Sequence, residues 1–185
     1  MAGPQYRRSR TIRLRVVARG FATVAEPDLR VEVDHLIAGD RRILLAGTIA
    51  EIAAAAGVEP GVPGIYHDGS GATPDHAVEV VPADAAYLAD GFERGGEGLR
   101  IFAPEQTPVL WPEHFDAAIS LDEVNYGVSP GDGYLDEPYA YVGPWQPVAG
   151  PFWNAPFGAA RPLRGLPDTG AVAAFFAEGR RYARA

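Results

Sequence analysis

The chain has 185 residues, of which 47% are hydrophobic and 22% charged, with a net charge of −8 and no cysteine. This balance fits a single folded domain and argues against a disordered chain, and the lack of cysteine excludes disulfides, thiolate catalysis and zinc held by sulfur. Nothing approaches the roughly 18 consecutive apolar residues of a membrane helix, and no apolar leader follows the early arginines, so a cytoplasmic protein without a membrane partner is expected.

Residues 1–9 read as a loose tail. From Thr11 to Ala18, Ile12, Leu14 and Val16 alternate with Arg13, Arg15 and Val17, which is the period of a strand. Leu29, Val31 and Val33 alternate in the same way with Arg30, Glu32 and Asp34, giving a second strand. Gly39-Asp40 is a turn signal, and Arg41 to Leu45 reads as a third strand. Thr48 and Glu51 have capping-box spacing, so an alanine-rich helix should start at Ile49 and stop near Gly57.

Residues 57–75 are rich in Gly, Pro, Asp and Ser and read as a long loop. A short strand is expected over Ala77–Val81, and Pro82 opens a helix whose end is blurred by Gly91, Gly95, Gly96 and Gly98. From Val109 the pattern turns to short strands at 109–112, 115–120, 124–128, 138–142 and 152–159, with a turn at Ser129–Gly133; their spacing suggests an antiparallel meander. A last helix over 168–184 carries Ala171, Val172, Phe175, Phe176 and Tyr182 near one stripe. The expected fold is therefore α+β: one domain over 1–185 with largely antiparallel sheet, about three helices including a C-terminal one, and a compositional seam near 104–108.

Charge is distributed unevenly. Ile101 to Ala160 contains eight carboxylates and no arginine, while the rest of the chain has 16 acidic and 16 basic residues. Every basic residue is arginine, so Schiff-base chemistry at a lysine side chain is excluded. A nucleic-acid partner needs a long basic face, which this composition does not offer; the basic run is confined to Arg7, Arg8, Arg10, Arg13, Arg15 and Arg19. There is no G-x-x-x-x-G-K-[ST] phosphate loop, no G-x-S-x-G elbow and no supported dinucleotide fingerprint. No motif specifies a cofactor.

Three features carry chemistry. In Trp111-Pro-Glu-His-Phe-Asp116, a strand would place His114 and Asp116 on one face, as a catalytic pair or a metal-binding pair; the plainer alternative is a histidine satisfied at a sheet edge. The segment Asn125 to Tyr141 holds Asp132, Asp136 and Glu137, hard oxygen ligands suited to calcium or magnesium, although the spacing is not that of an EF-hand. The alternative there is a turn in which Asp132 caps backbone amides. Ten of the 19 aromatic residues lie between Trp111 and Phe157, as an apolar core or as the walls of a ligand pocket. Trp111, Asn125, Asp132, Glu137, Tyr139 and Tyr141 are the candidate ligand-binding residues. His67, Asp68 and His76 add metal ligands only where the fold gathers them with His114.

The run Trp111-Pro-Glu-His-Phe-Asp116, then Ser129-Pro-Gly-Asp132, then Pro138-Tyr-Ala-Tyr141 resembles an uncharacterised bacterial family with a Trp-Pro-x-His-Phe-Asp, Ser-Pro-Gly-Asp and Pro-Tyr-x-Tyr signature. The resemblance covers the C-terminal half and draws attention to His114, Asp116, Asp132, Glu137 and Tyr139 without giving them roles. Three functional readings follow. The first is a protein that binds a small polar or cationic ligand in an acidic, aromatic-lined pocket. The second is an interaction module, such as a homodimer, in which the basic N-terminal segment meets the acidic block. The third is a hydrolase using His114 and Asp116.

Overall fold

The computed structural model describes residues 1–61 and 71–184, so His67 and Asp68 lie outside the described residues. The fold is α+β, with a mainly antiparallel sheet and a C-terminal helix. The chain divides into two compact units: Met1–Asp90 with Trp111–Glu113, and Gly91–Leu110 with His114–Ala185. The compositional shift at 104–108 falls inside the second. Among the described residues no helix is long and apolar enough to cross a membrane.

In the first unit the supposed tail is a helix, α1 (Ala2–Ser9). Its anchor is Gln5, which is fully buried. The Gln5 amide nitrogen donates to the carbonyls of Thr11 (3.0 Å) and Arg13 (2.9 Å), and its oxygen accepts from the backbone N–H groups of Val24 (2.7 Å) and Ala25 (2.9 Å). One side chain thereby satisfies four backbone groups that sequence periodicity does not reveal. Strands β1 (Leu14–Val17), β2 (Gly20–Thr23), β3 (Leu29–Glu32), β4 (His35–Ala38) and β5 (Arg41–Leu44) follow as an antiparallel meander. The expected strand through Asp34 is in fact a hairpin, because Val33 adopts φ 53° and reverses the chain. A β-branched residue in that conformation is rare, so no turn signal marks it.

Strand β6 (Ala46–Thr48) pairs with β7 (Ala77–Glu79), and between them in sequence lies α2 (Ile49–Ala56). The capping box forms as the spacing implies: Thr48 N–H donates to Glu51 Oε2 (2.8 Å) and Glu51 N–H donates to Thr48 Oγ1 (3.2 Å). Gly57 closes α2 in the left-handed conformation. Ile52 and Ala56 pack with Leu29, Leu36 and Ala38 as the core of this unit.

Helix α3 (Pro82–Phe102) runs through all its glycines, which serve packing in the second unit rather than ending the helix. Gly91, Gly95 and Gly98 fall on one face, and a Cβ at each would lie 3.1 Å from Leu163, 2.3 Å from Val128 and 2.6 Å from Val172. After β8 (Val109–Trp111), strands β9 (Asp116–Leu121), β10 (Val124–Ser129), β11 (Tyr139–Pro144) and β12 (Ala159–Pro162) form an antiparallel meander. The turn between β9 and β10 holds Asp122 and Glu123, both at positive φ, as a two-residue hairpin requires. The strand expected at 152–159 begins only at Ala159; before it stands an isolated bridge between Ala155 and Gly158.

Helix α4 (Thr169–Ala183) starts at Asp168, whose carboxylate accepts from Ala171 N–H at 2.8 Å. Its buried stripe is Val172, Phe175 and Phe176, while Tyr182 is 42% exposed and stacks on Phe152 instead. Alternation along the strands sorts the residues. Tyr126, Val128, Ala140 and Val142 are buried on the face covered by α3 and α4, where Gly95 abuts Val128 and a Cβ at Gly179 would lie 2.7 Å from Val142. The alternate positions Asp116, Asn125, Gly127, Ser129, Tyr139 and Tyr141 share the opposite face.

Candidate functional site

The face of the second unit turned away from its helices carries a cavity of about 550 Å³, within the usual range for small-molecule sites. Its floor is strand-borne: Asp116 from β9, Asn125 and Ser129 from β10, Tyr139, Tyr141 and Gly143 from β11. Loops supply the rest, with His114 before β9, Asp132 between β10 and β11, and Pro144, Trp145 and Phe157 from the end of β11 and the segment before β12.

Two tyrosine–aspartate pairs organise this floor. The Tyr141 hydroxyl donates to Asp116 Oδ2, and the Tyr139 hydroxyl donates to Asp132 Oδ2 at 2.6 Å. Tyr141 lies on β11 and Asp116 on β9, so the ring must cross β10. It crosses at Gly127, its register partner, where a Cβ would sit 2.6 Å from the ring and its hydroxyl. The absence of a side chain at Gly127 is what allows the phenol to lie across the strand.

Asp116 is only 9% exposed, and a buried carboxylate needs a donor; a hydrogen bond to a charged acceptor contributes about 1.5–3 kcal/mol. Asp132 is more open. Its Oδ1 accepts from the N–H groups of Tyr134 (2.8 Å) and Leu135 (3.2 Å), so it caps the Ser-Pro-Gly-Asp-Gly turn while Oδ2 holds Tyr139. The Tyr139 hydroxyl, followed by the two amides, keeps the Asp132 carboxyl below its ordinary range. Burial and the adjacent Asp132 push the Tyr139 phenol up to about 12. Burial and Asp116 raise Tyr141 further still. Both phenols therefore stay neutral donors at physiological pH.

The remaining wall is aromatic. Tyr139 and Phe157 stack with centroids 6.2 Å apart, and Tyr141 meets Phe157 edge-on at 6.4 Å. Tyr134 contacts both Tyr139 and Phe157 and anchors its own hydroxyl on the Asn154 carbonyl at 3.0 Å. Trp145 is 60% exposed at the rim, with its indole N–H donated to Asn125 Oδ1 at 3.2 Å. Ser120 donates to the same oxygen at 2.7 Å.

Six of the eight candidate residues from the sequence converge here: His114, Asp116, Asn125, Asp132, Tyr139 and Tyr141. Trp111 and Glu137 do not. Trp111 belongs to the first unit, where Arg13 stacks over its ring at 5.5 Å, and Glu137 is ion-paired with Arg164. Nor do His114 and Asp116 share a strand face. His114 lies in a turn, Phe115 has φ 53°, and β9 begins only at Asp116, whose carboxylate bonds Tyr141.

Asp132, Asp136 and Glu137 do not form an oxygen cage. Among the described residues no group of three or more His, Asp or Glu side chains is placed to hold a metal ion. Sequence reasoning missed Gly127, Ser129, Gly143, Pro144, Trp145 and Phe157. Alternation from Asn125 could have reached Gly127 and Ser129, and aromatic density Trp145 and Phe157.

The acidic block also finds cations within its own unit. Asp122 pairs with Arg180 at 2.8 Å and with Arg184 at 2.5 Å, and Glu137 pairs with Arg164. Among the described residues no arginine reaches the cavity lining. No family model, curated protein or solved structure matches the chain.

Proposed function

We propose that the second unit is a small-ligand-binding module whose site is the cavity on the helix-free face of its sheet. The observation that carries this reading is the buried Asp116–Tyr141 pair on the cavity floor. A packed sheet face is most stable with apolar side chains, and a carboxylate buried there must be compensated for its lost hydration. Perturbed ionisable groups gathered in a cavity with aromatic walls are the features a small-molecule site presents. The internal partners of Asp122 and Glu137 remove part of the charge imbalance that motivates self-association, whereas Asp116 is held by a phenol and Asp132 by a phenol and two backbone amides.

The reading is tested by thermal unfolding of the full chain against a panel of small cationic, neutral and anionic compounds. A ligand at 100 times its Kd should stabilise the protein by about 2.7 kcal/mol. The stabilisation should be reduced in Trp145→Ala, which removes a rim side chain without opening the core. A panel without stabilisation, or with stabilisation indifferent to Trp145, contradicts it.

A further inference from the structure

Given that the cavity binds a small ligand, the geometry points to an organic cation, an ammonium or guanidinium group on a compact apolar body. Hydrogen-bond polarity selects the ligand class. Most donors around the cavity are already spent on its own acceptors. The Tyr141 hydroxyl is given to Asp116, and the Tyr139 hydroxyl to Asp132. The Trp145 indole N–H and the Ser120 hydroxyl both go to Asn125 Oδ1.

What remains for a ligand is mainly acceptor surface: the second lone pairs of two carboxylates, the Tyr141 phenol oxygen, and the π faces of Trp145, Tyr141 and Phe157. The Ser129 hydroxyl is given to the Tyr139 phenol oxygen, and the His114 ring and the Asn125 amide nitrogen are the donors left over. An anion entering this cavity meets two carboxylates and no arginine, and it is repelled. A neutral polyol needs donors and acceptors in comparable number, and the lining is short of donors. An ammonium or guanidinium carries donors only. It gains charge-assisted bonds to the carboxylates, and its positive charge is attracted to the aromatic faces.

The full chain is titrated calorimetrically with agmatine, spermidine and tetramethylammonium as cations, glucose as a neutral polyol and citrate as an anion. Saturable binding of at least one cation, weakened by added salt, is the result expected. Asp132→Asn should then lower affinity roughly tenfold by removing a charge-assisted partner. Trp145→Ala, at a 60% exposed position, should lower it roughly threefold while the protein stays folded. Binding of glucose or citrate without any cation overturns the cation assignment and leaves the binding module standing. Equal cation affinity in wild type, Asp132→Asn and Trp145→Ala also overturns the assignment, since the cation then sits elsewhere. Silence of all five probes overturns both.

Discussion

Replacing Gly127 with alanine puts a methyl group where Tyr141 now lies. The added carbon would sit 2.6 Å from the phenol ring and its hydroxyl, against about 3.5–4.0 Å for an ordinary carbon contact. The ring must retreat by roughly 1 Å, and the hydroxyl then leaves Asp116. Overpacking of this kind costs about 1–3 kcal/mol, and losing a bond to a buried charged acceptor costs about 1.5–3 kcal/mol. The two losses share one displacement, so they do not add in full, and a total of about 2–4 kcal/mol is expected. Urea unfolding followed by tryptophan fluorescence measures it as a lowered midpoint at unchanged slope. The same change in a Tyr141→Ala background should cost less than about 1 kcal/mol, because the clash is gone. An equal cost in both backgrounds would refute the claim that Gly127 exists to let Tyr141 cross the strand.

Gly95→Ala sets two rules against each other. Helix propensity favours alanine by about 1 kcal/mol, but the 2.3 Å approach to Val128 predicts net destabilisation of about 1–2 kcal/mol by urea unfolding; a stabilised variant would contradict the packing of α3 described above. Gln5→Leu should cost about 3 kcal/mol or more, because four backbone groups lose their partner together, and amide exchange at Val24 and Ala25 should rise with it. At high pH, Tyr126 and Tyr139 titrate near 12 when folded but near 10 when unfolded, so the folded state keeps protons that the unfolded state loses. Stability should be full below about pH 10 and fall as pH rises toward 12; followed by the ring carbon signals of Tyr126 and Tyr139, ionisation of either near 10 in the folded protein would contradict their burial. At low pH the sign reverses. Glu51, Asp122 and Asp132 are held below their ordinary range, so their contribution is present above about pH 4 and is lost as they protonate below it, which an acid titration of the melting temperature follows.

Local chemistry was the legible part of the sequence. Thr48 and Glu51 announce α2, Gly57 ends it, and the short aromatic or β-branched segments at 124–128 and 138–142 mark the strands that build the site. What stayed hidden depends on partners distant in sequence or on unusual backbone. Gln5 looks like any polar residue until it meets Thr11, Arg13, Val24 and Ala25. Val33 and Phe115 turn the chain at positive φ without a glycine or asparagine to signal it, which hides one hairpin and separates His114 from Asp116. The glycines of α3 look like helix breakers because their value lies in Val128 and Val172 across the interface. The cavity was half visible: the acids and tyrosines were identifiable, but their pairing requires Gly127 between them.

The chain contains three tryptophans, and only Trp145 borders the cavity, so a nitrogen–proton spectrum offers three indole signals with one reporter among them. Titration with agmatine is the most direct measurement. The account predicts a saturable shift of the Trp145 indole signal, whose N–H rests on Asn125, with Trp111 and Trp153 unmoved. A Trp145 signal that stays in place while another indole shifts would contradict it.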